Sequence, residues 1–218
     1  KQKLYRIMDI RYLVIEGNIG AGKTSLSKLI AERKKGRLFL EQYAENPFLP
    51  KFYENPERYS FPLELSFLAD RYNQLKNNLS SFDLFNELIV SDYFFMKSLI
   101  FSAHTLQEDE YRLYRQLFDI IYSTLPKPDL YIYLHKNIDL LLKNISKRGR
   151  EYEKNISAEY LKGIETGYFN FFKQQNQMRI VVIDTNNIDF VNNEEDLKKI
   201  ENSIFDNEYP VGITRIIL

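Results

Sequence analysis

Eight residues near the start of the chain have the spacing of a phosphate-binding loop. The pattern G-x-x-x-x-G-K-[ST] is matched by Gly17-Asn18-Ile19-Gly20-Ala21-Gly22-Lys23-Thr24. An apolar run at 12–15 precedes this loop, and a helical pattern over 25–34 follows it, beginning at Ser25. Glycines let successive backbone N–H groups turn toward phosphate oxygens at the positive end of a helix. We therefore expect the loop and Ser25 to hold a nucleoside triphosphate.

Two side chains of the loop could carry charge and metal chemistry. Lys23 is placed to neutralise the β- and γ-phosphates, and the hydroxyl of Thr24 is placed to bind Mg²⁺. A second metal ligand is predicted at Asp92, because it follows the apolar strand pattern 88–91 as a Walker B carboxylate would. The alternative for Asp92 is a solvated acid at the end of a strand.

Length and composition bound the class of protein. The 218 residues are 44% hydrophobic, so we expect a single domain over residues 1–218 with a small lid. Thirty basic and thirty acidic residues argue against nucleic acid or an anionic membrane as the main partner. Because the chain has no cysteine, no apolar stretch of about 18 residues and no secretion signal, we expect a cytoplasmic location.

Short β-rich runs alternate with helical patterns along the chain. Strands are predicted at 12–16, 37–41, 88–91, 130–134 and 179–183. Helices are predicted near 25–34, 62–79, 94–103, 109–125, 139–147, 158–174 and 194–205. This alternation is typical of an α/β fold with helices on both faces of a parallel sheet. We predict a five-stranded parallel sheet flanked by helices, with a phosphate-binding loop and a small arginine-containing lid.

Acidic residues stand where three of the predicted strands end. Ligands gather beyond the carboxyl ends of parallel strands, and Glu41, Asp92 and Asp184 occupy such positions. Phosphoryl transfer to an alcohol calls for a base that takes the hydroxyl proton. Glu41 follows the apolar residues 38–40 and is the candidate base. A solvated glutamate at the strand end is the alternative.

A dense cluster of charges over 148–153 lies between two predicted helices. It contains Arg148, Arg150 and Glu153. Two arginines around a glycine suit the negative charge that develops on a transferred phosphoryl group. Most charge runs are solvated turns, which is the alternative here. Together with the phosphate-binding loop, the cluster predicts a lid over about 148–156.

The predicted helix 62–79 carries two charges on an otherwise apolar face. Spacings of three, four and seven residues place on one side Glu64, Phe67, Leu68, Arg71 and Leu75. These charges could simply mark the edge of the apolar face, with their head groups reaching water. The functional interpretation is a pocket in which Glu64 and Arg71 hydrogen-bond a planar heterocycle.

Four stretches of the sequence resemble the deoxynucleoside kinases of the deoxycytidine, deoxyguanosine and deoxyadenosine kinase group. They are 17–24, Glu41 with 46–49, 53–61, and 148–150 with Glu153. The likeness runs from about residue 12 to residue 190, and 46–49 is most similar to the bacterial purine kinases. The resemblance implies a P-loop kinase fold, ATP with Mg²⁺, a small-molecule deoxynucleoside as acceptor, and a homodimer built through helices.

The resemblance also implies roles for individual side chains. In that family the glutamate at the strand end is the general base, which implies this role for Glu41. The sugar 3′-hydroxyl would be held by Tyr53, with Glu153 reaching in from the lid. Arg148 and Arg150 would clamp the donor phosphates. The loop 184–190, with Asp189 and Phe190, would pack on the donor adenine.

The chain departs from the family pattern at three positions. The family has an arginine directly after the acid of the third strand, and this chain has Tyr93. We expect Lys97, one helical turn further on, or the lid arginines to supply the missing charge. The family commonly reads the base with a glutamine and an aspartate, and their counterparts here are Glu64 and Ser98. Arg71 does match.

The leading interpretation is ATP-dependent 5′-phosphorylation of a deoxynucleoside for nucleotide salvage. Glu64 as an ionised acceptor and Arg71 as a donor fit adenine, cytosine or guanine better than thymine. Likeness to the purine kinases favours deoxyadenosine, with deoxyguanosine second. The alternatives are a nucleoside monophosphate kinase, a non-catalytic homologue, and a GTP-dependent switch or binding module, although the chain has no Asn-Lys-x-Asp motif.

Certain bacterial members of the family are fused behind a pterin pyrophosphokinase. The chain starts at Lys1 without a methionine. We therefore expect a domain that belongs to a longer polypeptide, with such a pterin enzyme upstream.

Overall fold

The structure, a computed structural model, describes residues 9–42, 46–79 and 87–218. Its strands are Tyr12–Gly17 (β1), Arg37–Phe39 (β2), Ile89–Ser91 (β3), Leu130–His135 (β4), Arg179–Asp184 (β5) and Gly212–Ile217 (β6). Its helices are Lys23–Lys34 (α1), Leu49–Glu54 (α2), Pro56–Leu79 (α3), Lys97–Thr105 (α4), Glu108–Tyr122 (α5), Ile138–Arg148 (α6), Ala158–Gln174 (α7) and Glu194–Phe205 (α8). A one-turn 3₁₀ helix, Glu151–Glu153, lies between α6 and α7.

The strands form one parallel sheet in the order β2-β3-β1-β4-β5-β6. The predicted α/β fold is confirmed, but the predicted number of five strands is wrong because β6 adds a sixth. β6 pairs with β5 along its whole length, from Gly212 opposite Arg179 to Ile217 opposite Asp184. Its residues alternate between partly buried and exposed, as expected at a sheet edge. The segment therefore lacks the continuous apolar run that marks the inner strands.

β2 ends at Phe39, two residues before the predicted end of this strand. Beyond it, side chains bind the backbone in place of a neighbouring strand. The carbonyl of Leu40 accepts a hydrogen bond from Nε2 of Gln74 at 2.6 Å, and the N–H of Glu41 donates to Oδ1 of Asp92 at 2.7 Å. Glu41 therefore lies on a loop beyond the carboxyl edge of the sheet.

The helices differ from prediction mainly around residues 49–62. α2 was not predicted, and α3 begins at Pro56, six residues before the predicted start at Pro62. Proline favours the first turn of a helix, which pointed to Pro62, but here Pro62 lies inside α3. No helix in the described part of the chain combines the length and apolar composition needed to cross a bilayer.

Both faces of the sheet are buried under helices. Side chains alternate along β1, so Leu13 and Ile15 pack in one apolar core while Tyr12 and Val14 pack in the other. The second core is rich in aromatic rings from the helices and the inner strands. Because the faces are covered, the open part of the sheet is its carboxyl edge, where a ligand can enter.

Glu16 is a carboxylate buried at that edge. It is fully buried and accepts hydrogen bonds from the N–H of Phe94 and the hydroxyl of Tyr168, both at 3.0 Å. Burial raises the pKa of this carboxyl. The two hydrogen bonds connect β1 to the segment after β3 and to α7, which fixes these elements around the edge of the sheet.

Tyr168→Phe removes the hydroxyl that donates to Glu16. Because Oε2 of Glu16 then keeps only the long hydrogen bond from the N–H of Gly17 at 3.4 Å, we expect the free energy of unfolding to fall by about 1–3 kcal/mol in chemical denaturation. Tyr131→Phe is the matched control, since its buried hydroxyl has no hydrogen-bond partner in the described ranges. We expect that control to change stability by less than about 0.5 kcal/mol. Equal losses in both variants would contradict the proposed link.

Candidate active site

The segment between β1 and α1 is a tight loop at the carboxyl edge of the sheet. Gly20 and Gly22 have φ angles of 84° and 93°, in the left-handed region that favours glycine. A Cβ on Gly22 would also lie 2.7 Å from Cζ of Phe190. Residues 20–25 line a cavity at the start of α1, where backbone N–H groups and the helix dipole favour anions.

Lys23 lies at the inner side of this loop. Its Nζ donates to the carbonyl of Asn18 at 3.0 Å, and the Asn18 side chain is fixed through the carbonyl of Leu161 at 2.7 Å. Burial, and then repulsion from Lys97, lower the pKa of Lys23 to about 8. In the described part of the chain the ammonium contacts a backbone carbonyl and no carboxylate, so it is positioned to gain a negatively charged ligand.

Thr24 and Asp92 meet beside the loop. Oγ1 of Thr24 donates to Oδ2 of Asp92 at 2.5 Å, while Oδ1 of Asp92 accepts from the N–H of Glu41. Mg²⁺ is commonly held by one or two protein oxygens together with substrate phosphates. Across the described ranges, no group of three or more His, Cys, Asp or Glu side chains could hold a metal alone. The hydroxyl and carboxylate therefore fit Mg²⁺ that arrives with a nucleotide.

Glu41 is held between two cations. Its Oε1 accepts from Nε and Nη2 of Arg71 at 2.9 and 2.5 Å, and its Oε2 accepts from Nζ of Lys97 at 2.5 Å. Burial favours a raised pKa for Glu41, but the charges and hydrogen bonds of Lys97 and Arg71 outweigh it and lower the pKa to about 2. Glu41 is therefore ionised throughout the neutral pH range.

The side chain of Tyr93 does not replace the missing arginine. Its hydroxyl donates to Oε1 of Gln74 at 2.8 Å, and Gln74 in turn binds the carbonyl of Leu40. Tyr93 therefore supports the loop that carries Glu41. The second cation at Glu41, besides Arg71, is Lys97, the first residue of α4.

Glu64 and Arg71 are both buried on α3, as the spacing predicted. Oε1 of Glu64 accepts from the hydroxyl of Thr105 at 2.9 Å. Nη1 of Arg71 donates to the hydroxyl of Ser98 at 2.6 Å, in addition to its bonds with Glu41. Burial raises the pKa of Glu64 to about 7, against the opposing effects of Arg71 and Thr105. Arg71 thus contacts Glu41 with one side of its guanidinium group and Ser98 with the other.

A single cavity, which we call the inner cavity, connects these groups. Its polar lining consists of Lys23, Thr24, Glu41, Tyr53, Glu64, Arg71, Asp92, Lys97, Arg148, Arg150 and Glu153. Apolar and aromatic walls are supplied by Ile19, Leu49, Phe52, Leu63, Phe67, Phe101 and Tyr160. A cavity with charged groups at one end and aromatic walls suits a small polar molecule with a planar ring.

A second cavity, the outer cavity, lies on the other side of the phosphate-binding loop. Residues 20–25, Arg148, Arg150 and the segment 188–192 contribute to its lining. The carboxylate of Asp189 accepts from the backbone N–H of Asn192 at 3.1 Å, which fixes this segment, and Phe190 packs on Gly22. The segment therefore forms a wall beside the loop.

The predicted lid region lies where the two cavities meet. Arg148 donates to Glu153 from Nε at 3.0 Å and from Nη2 at 2.5 Å, and Nη1 of Arg150 lies 3.3 Å from the same carboxylate. Both arginines line both cavities. The ring of Tyr152 stacks on Tyr53 with the ring centroids 6.1 Å apart. This arrangement places two guanidinium groups at the point where a phosphoryl group would pass between the cavities.

Known proteins share this sequence and this architecture. The profile of the family described as deoxynucleoside kinase matches residues 13–208. The chain belongs to the deoxynucleoside kinase family. This kinase is 34% identical to a deoxyguanosine kinase of Bacillus subtilis (strain 168), over 87% of this chain and 93% of that protein. The family resemblance predicted from the sequence is confirmed.

Further relatives span the same length. A deoxyadenosine kinase of Lactobacillus acidophilus is 31% identical, over 89% of this kinase and 97% of the relative. A solved structure of deoxyadenosine kinase from M. mycoides, with dCMP and a flexible dCDP bound, has a TM-score of 0.76 at 26% identity. The match covers 88% of this chain and 98% of the M. mycoides chain. The relatives therefore bear names with different purines, and they leave the substrate of this kinase open.

Sequence reasoning missed several residues of the site. Thr105 was not predicted, because its contact with Glu64 joins positions 41 residues apart. In the outer cavity the missed polar residues are Lys136, Asn144, Lys147 and Asn192. Asn144, Lys147 and Arg148 follow helical spacing on α6, and Nδ2 of Asn144 donates to the carbonyl of Gly20 at 2.8 Å. This helical spacing could have predicted that Asn144 and Lys147 lie on the same face of α6 as Arg148.

Lys97→Met removes one of the two cations at Glu41 while preserving side-chain length. We expect kcat to fall by about 10- to 100-fold, because the carboxylate loses a partner and the transferred phosphoryl group loses a nearby positive charge. Steady-state kinetics with ATP and a deoxynucleoside measure the change. Tyr93→Phe is the matched control and should change kcat by less than about threefold, since it removes only the bond to Gln74. A fully active Lys97→Met enzyme would disprove the expectation that Lys97 supplies the charge missing at Tyr93.

Proposed function

We propose that this kinase transfers the γ-phosphoryl group of ATP to the 5′-hydroxyl of a purine deoxynucleoside. Deoxyadenosine is the preferred acceptor and deoxyguanosine the second, in nucleotide salvage in the cytoplasm. The observation that carries the proposal is the position of Glu41 in the inner cavity, between the phosphate-binding loop and the buried Glu64. This arrangement leaves space for a sugar between a phosphoryl donor and a base-binding end.

The outer cavity is the proposed site of ATP. The N–H groups of the phosphate-binding loop and the ammonium of Lys23 would bind the β- and γ-phosphates. Thr24 and Asp92 would hold Mg²⁺, which when bound supplies positive charge to the donor phosphates. Phe190 would contact the adenine end from the wall beside the loop. These groups place the γ-phosphate toward the inner cavity.

Glu41 is the proposed general base. Its low pKa makes it a hydrogen-bond acceptor that orients the 5′-hydroxyl at every neutral pH. As the bond from O5′ to the γ-phosphorus forms and the bond to the bridging oxygen of ATP breaks, the hydroxyl becomes more acidic. The proton then passes to Glu41, and ADP leaves with the electron pair of the broken bond. Lys97 and Arg71 hold the carboxylate in position throughout the reaction.

The lid residues are proposed to act on both substrates. Arg148 and Arg150 would stabilise charge on the transferred phosphoryl group, which they can reach from the junction of the cavities. Glu153 would exchange part of its arginine contacts for the sugar 3′-hydroxyl, together with Tyr53. A closed lid also excludes water, which protects the γ-phosphate from hydrolysis.

A neutral acceptor agrees with the charges of the inner cavity better than a nucleoside monophosphate does. Arg71 and Lys97 are paired with Glu41, and Arg148 and Arg150 contact Glu153. An acceptor phosphate would have to displace these carboxylates. We also propose a homodimer, because α5 exposes the apolar side chains Leu113, Leu117 and Ile120.

A screen of the four deoxynucleosides and their monophosphates with ATP and Mg²⁺ tests the proposed acceptor. We expect deoxyadenosine to give the highest kcat/KM, deoxyguanosine the second and thymidine the lowest, because thymine presents one ring N–H between two carbonyls. Product formation can be measured by chromatography of the 5′-monophosphates. Faster phosphorylation of a monophosphate than of any nucleoside would favour the monophosphate kinase alternative.

Glu41→Gln tests the base. The amide preserves shape but accepts protons poorly, so we expect kcat to fall by about 100-fold or more with little change in nucleoside binding. Asp184→Asn is the matched control, because Asp184 ends β5 at the same edge and binds Asn186 of its own loop at 2.9 Å. The control should keep most of its activity. Near-normal turnover of Glu41→Gln would remove Glu41 from the mechanism.

A further inference from the structure

Glu64 has one carboxyl oxygen that the protein does not satisfy. The side chain is 2% exposed and lines the inner cavity. Oε1 accepts from the hydroxyl of Thr105, whereas Oε2 is buried with no hydrogen-bond partner among the described residues. Buried polar atoms are nearly always hydrogen-bonded, so the partner of Oε2 is expected from a ligand in the cavity.

The contact with Thr105 distinguishes the two oxygens of Glu64. Oγ1 of Thr105 lies 2.9 Å from Oε1 of Glu64 and 3.0 Å from the carbonyl of Phe101. While the hydroxyl donates to Oε1, that oxygen is an acceptor in either protonation state. In that arrangement the proton of the neutral acid lies on Oε2, the oxygen that has no hydrogen-bond partner among the described residues.

The two protonation states match different purines. A neutral Glu64 offers a carbonyl acceptor beside an O–H donor, the pattern of a carboxamide, and adenine offers the complement in its amino group and ring N1. An ionised Glu64 offers two acceptors, and guanine offers two adjacent donors in its ring N–H and amino group. Ring N1, which lies beside the amino group in both bases, is thus an acceptor in adenine and a donor in guanine.

The surroundings of Glu64 allow both states near neutral pH. The ionisable groups that face it or share the cavity are Arg71 on α3, Tyr53 on α2, Lys97 on α4, Tyr114 on α5, Tyr160 on α7, Lys23 on α1, Glu41 and Asp92 after β2 and β3, and Arg148, Arg150 and Glu153 of the lid region. His104 neighbours Thr105 on α4, and its ring packs against Tyr160. Burial outweighs the positive charge of Arg71, which raises the pKa of Glu64 to about 7.

We propose that the protonation state of Glu64 selects the purine, so that the neutral acid takes deoxyadenosine and the carboxylate takes deoxyguanosine. This inference rests on the proposed function, because it assumes a purine deoxynucleoside in the inner cavity. Glu64 then determines specificity without taking part in phosphoryl transfer.

The test is the ratio of kcat/KM for deoxyadenosine to kcat/KM for deoxyguanosine, measured from about pH 6 to about pH 8. Groups that act in catalysis, such as Glu41 and Lys23, affect both substrates and cancel in the ratio. Because Glu64 is neutral below its pKa and ionised above it, the ratio should fall with rising pH. One proton lost over two pH units gives a fall of up to about 100-fold, and at least about tenfold is expected.

Glu64→Gln is the matched variant, since it carries the carboxamide pattern permanently. We expect it to prefer deoxyadenosine with a ratio that varies by less than about twofold with pH. Deoxyinosine is a further probe, because it has the ring N–H of guanine without the amino group. In the unaltered enzyme the ratio of kcat/KM for deoxyinosine to kcat/KM for deoxyadenosine should rise with pH.

The outcomes separate this inference from the proposed function. An enzyme that phosphorylates both purine deoxynucleosides with a ratio independent of pH would overturn the role of Glu64 alone. The same slope in the Glu64→Gln variant would assign the pH dependence to another group, with the same consequence. If no deoxynucleoside is phosphorylated at any pH, the proposed function itself fails.

Discussion

The site depends on keeping one buried carboxylate charged, that of Glu41. Burying an ionised carboxylate without partners costs more free energy than a domain of this size can supply. Arg71 and Lys97 together supply the partners that keep Glu41 ionised in its buried position. These cations come from α3 and α4, so the carboxylate also fixes the distance between two helices. The geometry of the inner cavity follows from this ion cluster.

Asp92 connects that cluster to the phosphate-binding loop. One of its oxygens binds Thr24 at the start of α1, and the other binds the N–H of Glu41. A single side chain at the end of β3 thus positions the predicted metal ligand and the predicted base relative to each other. Because β2 stops at Phe39, the backbone at Glu41 is available for this bond. A longer strand would have carried Glu41 away from Asp92.

Local rules explain which parts of this structure the sequence could predict. The phosphate-binding loop, β1 and the buried face of α3 follow from spacing within a few residues, and all three were predicted. The partners of Glu41 lie 30 and 56 residues away in the chain, beyond any periodicity. Edge strand β6 was missed because it has no continuous apolar run and two of its isoleucines are exposed, and α2 because it is only six residues long. The sequence could not predict contacts between residues far apart in the chain, because these depend on tertiary packing.

The family pattern has an arginine at the position of Tyr93, and Lys97, which we expect to supply the missing charge, lies four residues further on and is of a different type. An arginine offers a planar fork for two phosphate oxygens, whereas Lys97 is a point charge, already bound to Glu41. Lys97 also repels Lys23 and contributes to lowering its pKa. A triphosphate on Lys23 would relieve this repulsion, which links the charge state of the outer cavity to the cluster around Glu41. Binding of the donor therefore favours the same arrangement of cations that holds the base in place for the acceptor.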